Sequence, residues 1–159
     1  MAHLTESEIE PAALAWLAGL GYQPVNGLEI APGEAMAERN DYGEVVLAQR
    51  LRDALARLNP ELPPEALEDA FRKLTLPDSP SLVANNHVIH KYLVEGVPVE
   101  YQRKDGSIGG DLVRVLDYDE PENNEFLAVN QFTVVDGKGD SRIAPTRRPD
   151  VVLFINGLP

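Results

Sequence analysis

The chain contains no cysteine. Disulfides and thiolate zinc sites are thereby excluded, histidine or carboxylate metal sites stay open, and the composition suits a reducing cytosol. No segment approaches the roughly 20 apolar residues that a membrane-spanning helix needs. The opening Met1, Ala2, His3, Leu4, Thr5, Glu6 has neither the basic start nor the apolar run of a secretory signal. A cytoplasmic chain without a membrane partner is expected. No G-x-x-x-x-G-K-[ST] occurs, so this piece does not bind ATP through a phosphate loop. Basic residues are scarce: 14 Lys and Arg stand against 26 Asp and Glu, a net charge of -12. That balance argues against a strong grip on nucleic acid by this piece alone, because phosphate binding is driven by Lys and Arg displacing counterions.

What is present suits a folded α/β chain. At 159 residues, 43% hydrophobic and 25% charged, the sequence has the size and balance of one globular domain. Residues 1–95 read as mainly helical and 96–159 as mainly strands. Ser7 to Glu10 reads as a capping box, with Ile9, Ala13, Trp16, Leu17 and Leu20 at helical spacing up to Gly21. Pro11 would sit best at a first helical position, which makes Glu10 itself a possible cap. Residues 22–40 carry Pro24, Gly27, Pro32 and Gly33 without a period and read as a long loop. Asp41 with Glu44 repeats the cap signal before Leu47, Leu51, Leu55 and Leu58, and Asn59-Pro60 ends that helix. A third helix starts at Pro64, with Leu67, Ala70, Phe71 and Leu74 inward, and a fourth runs from about Ser81 to Gly96.

Beyond Gly96 the period becomes two. Val97, Val99 and Tyr101 alternate with Pro98, Glu100 and Gln102, and Asp105-Gly106 turns the chain towards a strand at 112–116. Residues 126–135 are apolar enough for one strand buried on both faces. On it Asn130 shares a face with Phe126, Ala128, Phe132 and Val134, and Gln131 points the other way; a polar group on that face must find a partner. Val151 to Ile155 is a short buried strand, and Asn156-Gly157 is a strong hairpin signal. The partner strand of that hairpin is expected beyond Pro159.

Pro149-Asp150 places one carboxylate at the mouth of this last strand, behind Arg147 and Arg148. One or two carboxylates, with water and phosphate oxygens, are what Mg²⁺ takes from a nuclease. Taken alone, the dipeptide equally describes a surface turn before a strand. His87 and His90 stand three apart on a helix, but no third ligand accompanies them. The acidic run Asp117, Asp119, Glu120, Glu122 resembles a calcium loop only at its first two ligands, since Pro121 takes the fifth place, and reads as a solvated hairpin loop.

Three segments resemble the N-terminal region of type I restriction subunits. They are Leu4, Thr5, Glu6, Ser7 through Leu20, Gly21, Tyr22; Pro121, Glu122, Asn123, Asn124 through Val129, Asn130, Gln131, Phe132; and Arg148, Pro149, Asp150, Val151, Val152, Leu153, Phe154 through Asn156, Gly157. The resemblance implies a restriction-endonuclease-like, PD-(D/E)xK core: a small mixed sheet flanked by helices, with Asp150 matching the Asp that binds Mg²⁺. The matching Glu and Lys would follow the hairpin, so the piece by itself is expected to be inactive. Glu10 is similar to a helical glutamate near the metal in some relatives of this fold, a reading that competes with its cap role. Further implied are Mg²⁺-dependent hydrolysis of double-stranded DNA, an ATP-driven translocase elsewhere in the longer subunit, and modification and specificity subunits as partners. Arg142, Arg147 and Arg148 are the local candidates for DNA phosphates. The alternative is a non-catalytic docking or regulatory domain on the same fold.

Overall fold

A computed structural model describes residues 6–76, 79–135 and 145–159. In chain order the elements are α1 (Glu6–Gly19), β1 (Gln23–Asn26), α2 (Ala48–Leu58), α3 (Pro64–Thr75), α4 (Leu82–Glu95), β2 (Val97–Gln102), β3 (Ile108–Val113), a 3-10 turn (Pro121–Asn123), β4 (Phe126–Asn130), β5 (Val134–Val135), β6 (Thr146–Arg147) and β7 (Val151–Ile155). They sort into two compact units: residues 1–48 with 125–159, and residues 49–124. The division falls at the start of α2, so no Pro- or Gly-rich linker marks it in the sequence.

The first unit is built on a small mixed sheet of order β1-β4-β7. β4 pairs parallel with β1 (Gln23 opposite Leu127) and antiparallel with β7 (Asn130 opposite Val151). β1 lies in the stretch expected to be irregular. Its four residues carry a proline and three exposed positions, leaving no hydrophobic period to read. The inner strand is β4, buried at Leu127, Ala128 and Val129; β7 flanks it. Around them Ile30, Leu47, Phe132 and Phe154 complete one core, with the two rings edge-to-face at 5.2 Å. Each such ring contributes about 1.5–3 kcal/mol on burial.

Buried Arg39 lies with its guanidinium carbon 3.8 Å from the Phe132 ring centroid, and one nitrogen donates to the Glu44 carbonyl. Burial lowers its pKa, against the opposing charges of Tyr42, Glu44 and Asp41. α1 packs on β1 and β4. Its face is rotated from the expected one, for Glu10, Ala13, Leu14 and Leu17 are half-buried while Ile9, Trp16 and Leu20 are exposed. Gly21, at φ 97°, stops the helix as expected, with the Tyr22 N–H donating to the Leu17 carbonyl.

Two cap signals are used differently from the sequence expectation. Helix α1 already runs through Ser7 and Glu10, with Pro11 inside it. The Asp41/Glu44 pair closes a loop instead of starting α2: Asp41 Oδ1 accepts from the Gly43 N–H at 2.6 Å, and Glu44 Oε2 from the Asn40 N–H at 2.8 Å. Leu47 lies just before α2 and is buried in the first unit's core.

In the second unit, α2 buries Leu51, Ala54 and Leu55, and α3 buries Ala66, Ala70 and Leu74. Asn59 ends α2: its Nδ2 donates to the Leu55 and Arg114 carbonyls, and its Oδ1 accepts from the Arg114 N–H. α3 packs on the β2–β3 hairpin, whose strands pair antiparallel from Val97–Val113 to Gln102–Ile108. β3 begins four residues before the expected strand, because Gly109, Gly110 and Asp111 hide the alternation. α4 matches its expectation closely: the Ser81 hydroxyl accepts from the Ala84 N–H, and Gly96 at φ 95° ends it. It buries no residue fully, and the hairpin is covered mainly by α3. α1 thus lies on the mixed sheet, and α2–α4 belong to the second unit. Among the described residues, no helix is long and apolar enough to cross a membrane.

Candidate functional site

The Val151–Ile155 strand and its turn form where the sequence predicts, although of the strand only Phe154 is buried. Asn156 and Gly157 take φ of 52° and 81°, both left-handed as a two-residue hairpin requires. Ile155 and Leu158 then exchange both backbone hydrogen bonds, at 2.9 and 3.0 Å. Asn156 is fully buried and fastens the turn to β4: its Oδ1 accepts from the Glu125 N–H at 2.8 Å, and its own N–H donates to the Glu125 carbonyl at 2.9 Å. The end of β7 is therefore fixed in register against the start of β4.

At the other end of β7 stands Asp150, exposed, one residue before Val151. Its carbonyl accepts from the Gln131 N–H at 3.3 Å, which ties it to the chain just beyond β4. There the alternation expected for residues 126–135 breaks. β4 stops at Asn130, Gln131 adopts φ 54°, and pairing resumes at Val134 opposite Arg147. A left-handed residue reverses the sense in which successive side chains project, so Asn130 and Gln131 no longer point to opposite sides. Both amides reach the same group: Asn130 Nδ2 donates to Glu10 Oε1 and Gln131 Nε2 to Glu10 Oε2, each at 2.7 Å. The partner that Asn130 had to find is the α1 glutamate. Glu10 thus has its side chain in this junction, and the cap reading is corrected.

Gly27 backs the junction. Its N–H donates to the Asn130 carbonyl at 2.8 Å, and a Cβ there would lie 2.4 Å from that oxygen and 3.0 Å from the Gln131 carbonyl carbon. The approach requires glycine. Neither the glycine contact nor the left-handed Gln131 is marked in the sequence, whereas the Asn-Gln pair at the end of an apolar strand is the one visible sign.

Arg147 lies in β6, and Arg147 and Arg148 are both exposed, three and two residues before Asp150. Arg142 lies outside the described residues. The structure does not gather the other candidates: His87 and His90 are exposed on α4, and among the described residues no group of three or more His, Cys, Asp or Glu could hold a metal ion. The acidic run is a built turn. Asp117 is buried, its Oδ1 accepts from the Asp119 and Glu120 N–H groups, and its Oδ2 accepts from Asn123 Nδ2. Those bonds, that of Asn123 foremost, hold its pKa below the usual carboxylate value.

Mg²⁺ prefers hard oxygen donors and is commonly held by one or two carboxylates with water completing the shell. Asp150 and Glu10, joined through Gln131 at one end of the sheet, supply that donor chemistry.

Residues 3–159 match the family model described as type I restriction enzyme R protein N terminus. The chain is 36% identical over 156 residues, 98% of its length, to the type I restriction enzyme HindI endonuclease subunit of Haemophilus influenzae. It is 32% identical over 151 residues, 95% of its length, to the putative type I restriction enzyme MjaIXP endonuclease subunit of Methanocaldococcus jannaschii. It spans 14% of the length of each of these relatives. The match to the family model over all but the first two residues shows that this chain belongs to the type I restriction enzyme R protein N-terminal family.

Proposed function

We propose that this chain supplies part of a Mg²⁺-dependent nuclease of the PD-(D/E)xK type, which hydrolyses phosphodiesters of double-stranded DNA within a longer restriction subunit. The observation that carries the reading is the connected set Asp150, Gln131 and Glu10: Gln131 bonds the Asp150 backbone through its N–H and the Glu10 carboxylate through its side chain, at the mouth of β7 ahead of a formed hairpin turn. Asp150 and Glu10 are the residues that would hold the ion. A bound Mg²⁺ supplies Lewis-acid stabilisation of phosphate charge and a more acidic water. Arg147 and Arg148 offer guanidinium donors that position phosphate oxygens next to Asp150. The Glu and Lys of the family pattern belong to the strand that the Asn156-Gly157 turn leads into, so residues 1–159 alone are expected not to cut DNA. The net charge of -12 argues against a strong grip on DNA by residues 1–159 alone; the main grip would come from an ATP-driven translocase in the same subunit, with modification and specificity subunits as partners.

The test is Asp150→Ala in the full-length subunit. DNA cleavage is expected to be lost and ATP hydrolysis retained; surviving cleavage would remove Asp150 from the metal site. The acidic surface favours one other reading, a docking module on the same fold. Calorimetry with Mg²⁺ on the full-length subunit, without nucleotide, separates the two, since a docking module shows no binding that depends on Asp150.

A further inference from the structure

We propose that Asn130 and Gln131 are positioning residues for Glu10, forming an amide clamp that holds its carboxylate ready for a divalent cation beside Asp150. The inference rests on the nuclease reading above and assigns a task to two residues that the motif itself leaves out. Glu10 projects from α1 on a flexible side chain, and a single hydrogen bond would leave its carboxylate free to rotate. Two amides on the two oxygens, each at 2.7 Å, fix both its position and its plane. Each carboxylate oxygen keeps a lone-pair direction unused by the amides.

The chemical type of the partner matters as much as the geometry. A Lys or Arg in that place would neutralise Glu10 and compete with a metal ion, whereas amides are neutral and leave the full negative charge in place. Among the described residues Glu10 is met by these two amides and enters none of the ion pairs, which join other residues.

The clamp is also built at some conformational cost. Gln131 occupies a left-handed conformation at φ 54°, unfavourable for a residue with a Cβ. Gly27 leaves room for the backbone that carries both amides. The Gln131 N–H, bonded to the Asp150 backbone carbonyl, links the clamp to the backbone of the residue that carries the second carboxylate. A bond meant only to fasten α1 to the sheet needs neither neutrality nor this connection.

The experiment measures Mn²⁺ binding by electron paramagnetic resonance in the full-length subunit without nucleotide, with thermal melting as the check on folding. Gln131→Asn is the principal variant: it withdraws the amide by one methylene while asparagine tolerates the left-handed backbone better, so folding is preserved. Asn130→Leu removes the other donor. Each is expected to weaken Mn²⁺ binding by about tenfold, the lower end of what loss of a metal ligand's hydrogen-bond partner costs. In a Glu10→Gln background Gln131→Asn is expected to add nothing, because the residue acts through Glu10.

Wild-type affinity in Gln131→Asn overturns the clamp, and so does a tenfold loss that persists undiminished in the Glu10→Gln background. Asp150→Asn separates the two levels. If it also leaves Mn²⁺ affinity unchanged, the metal-site reading itself falls; if it abolishes binding while the amide variants bind normally, only the clamp falls.

Discussion

Replacing Asn156 by alanine removes two contributions that a glycine substitution separates. The Asn156 Oδ1 accepts from the Glu125 N–H at 2.8 Å, and the residue is fully buried at φ 52°. Withdrawing the acceptor from that half-buried N–H costs about 1–3 kcal/mol. Holding alanine in the left-handed conformation adds about 1–2 kcal/mol, which glycine avoids. Asn156→Gly is therefore expected to lose about 1–3 kcal/mol and Asn156→Ala about 2–5 kcal/mol. The assay is equilibrium urea unfolding followed by tyrosine fluorescence and circular dichroism in parallel, because two compact units need not unfold together. The stability order should be wild type, then Gly, then Ala. An alanine variant as stable as the glycine one would show that the turn does not require its left-handed backbone. A glycine variant as stable as wild type would show that the bond to Glu125 contributes nothing.

Two further outcomes follow from the same structure. Gly27→Ala drives a Cβ to 2.4 Å from the Asn130 carbonyl oxygen, a backbone atom that cannot turn aside, so the end of β4 must shift. A stability loss of about 1–3 kcal/mol is expected, together with weaker Mn²⁺ binding in the assay above; unchanged melting would show that the junction has slack. Asp117 has a lowered pKa in the folded chain, set first by the Asn123 amide and then by backbone N–H groups and Arg114. Its contribution is complete above the unfolded value of about 4 and is lost as pH falls through the folded value. Asp117→Asn should therefore be less stable than wild type at neutral pH by a margin that narrows as pH falls below about 4. A margin constant down to about pH 2 would refute the assignment.

Much of the chain's local structure was legible without coordinates. Ser81 and Gly96 marked both ends of α4, Asn59 the end of α2, Pro64 the start of α3, and Asn156-Gly157 the turn after β7. These signals are local: a cap, a missing N–H or a left-handed residue acts over three or four positions whatever the rest of the fold does. The resemblance of the opening, middle and closing segments likewise lay in the sequence, and the family match extends across them.

What the sequence could not decide is how α1 and the strand ends meet. The apolar spacing of α1 pointed Ile9, Trp16 and Leu20 inward, yet they are exposed and Glu10 turns to the sheet. Ser7 and Glu10, and Asp41 and Glu44, have cap spacing, but a cap exists only where the chain is not already helical, or becomes helical next, and packing decided both. The pattern from 126 to 135 described one strand, because periodicity cannot register a single left-handed residue. That residue is the reason Asn130 and Gln131 reach the same carboxylate. Sequence alone supplied Asp150 and its strand; only the tertiary structure, by pairing β4 with β1 and β7 and laying α1 across β1 and β4, brought Glu10 to Asn130 and Gln131, since contacts between residues 120 positions apart leave no periodic trace.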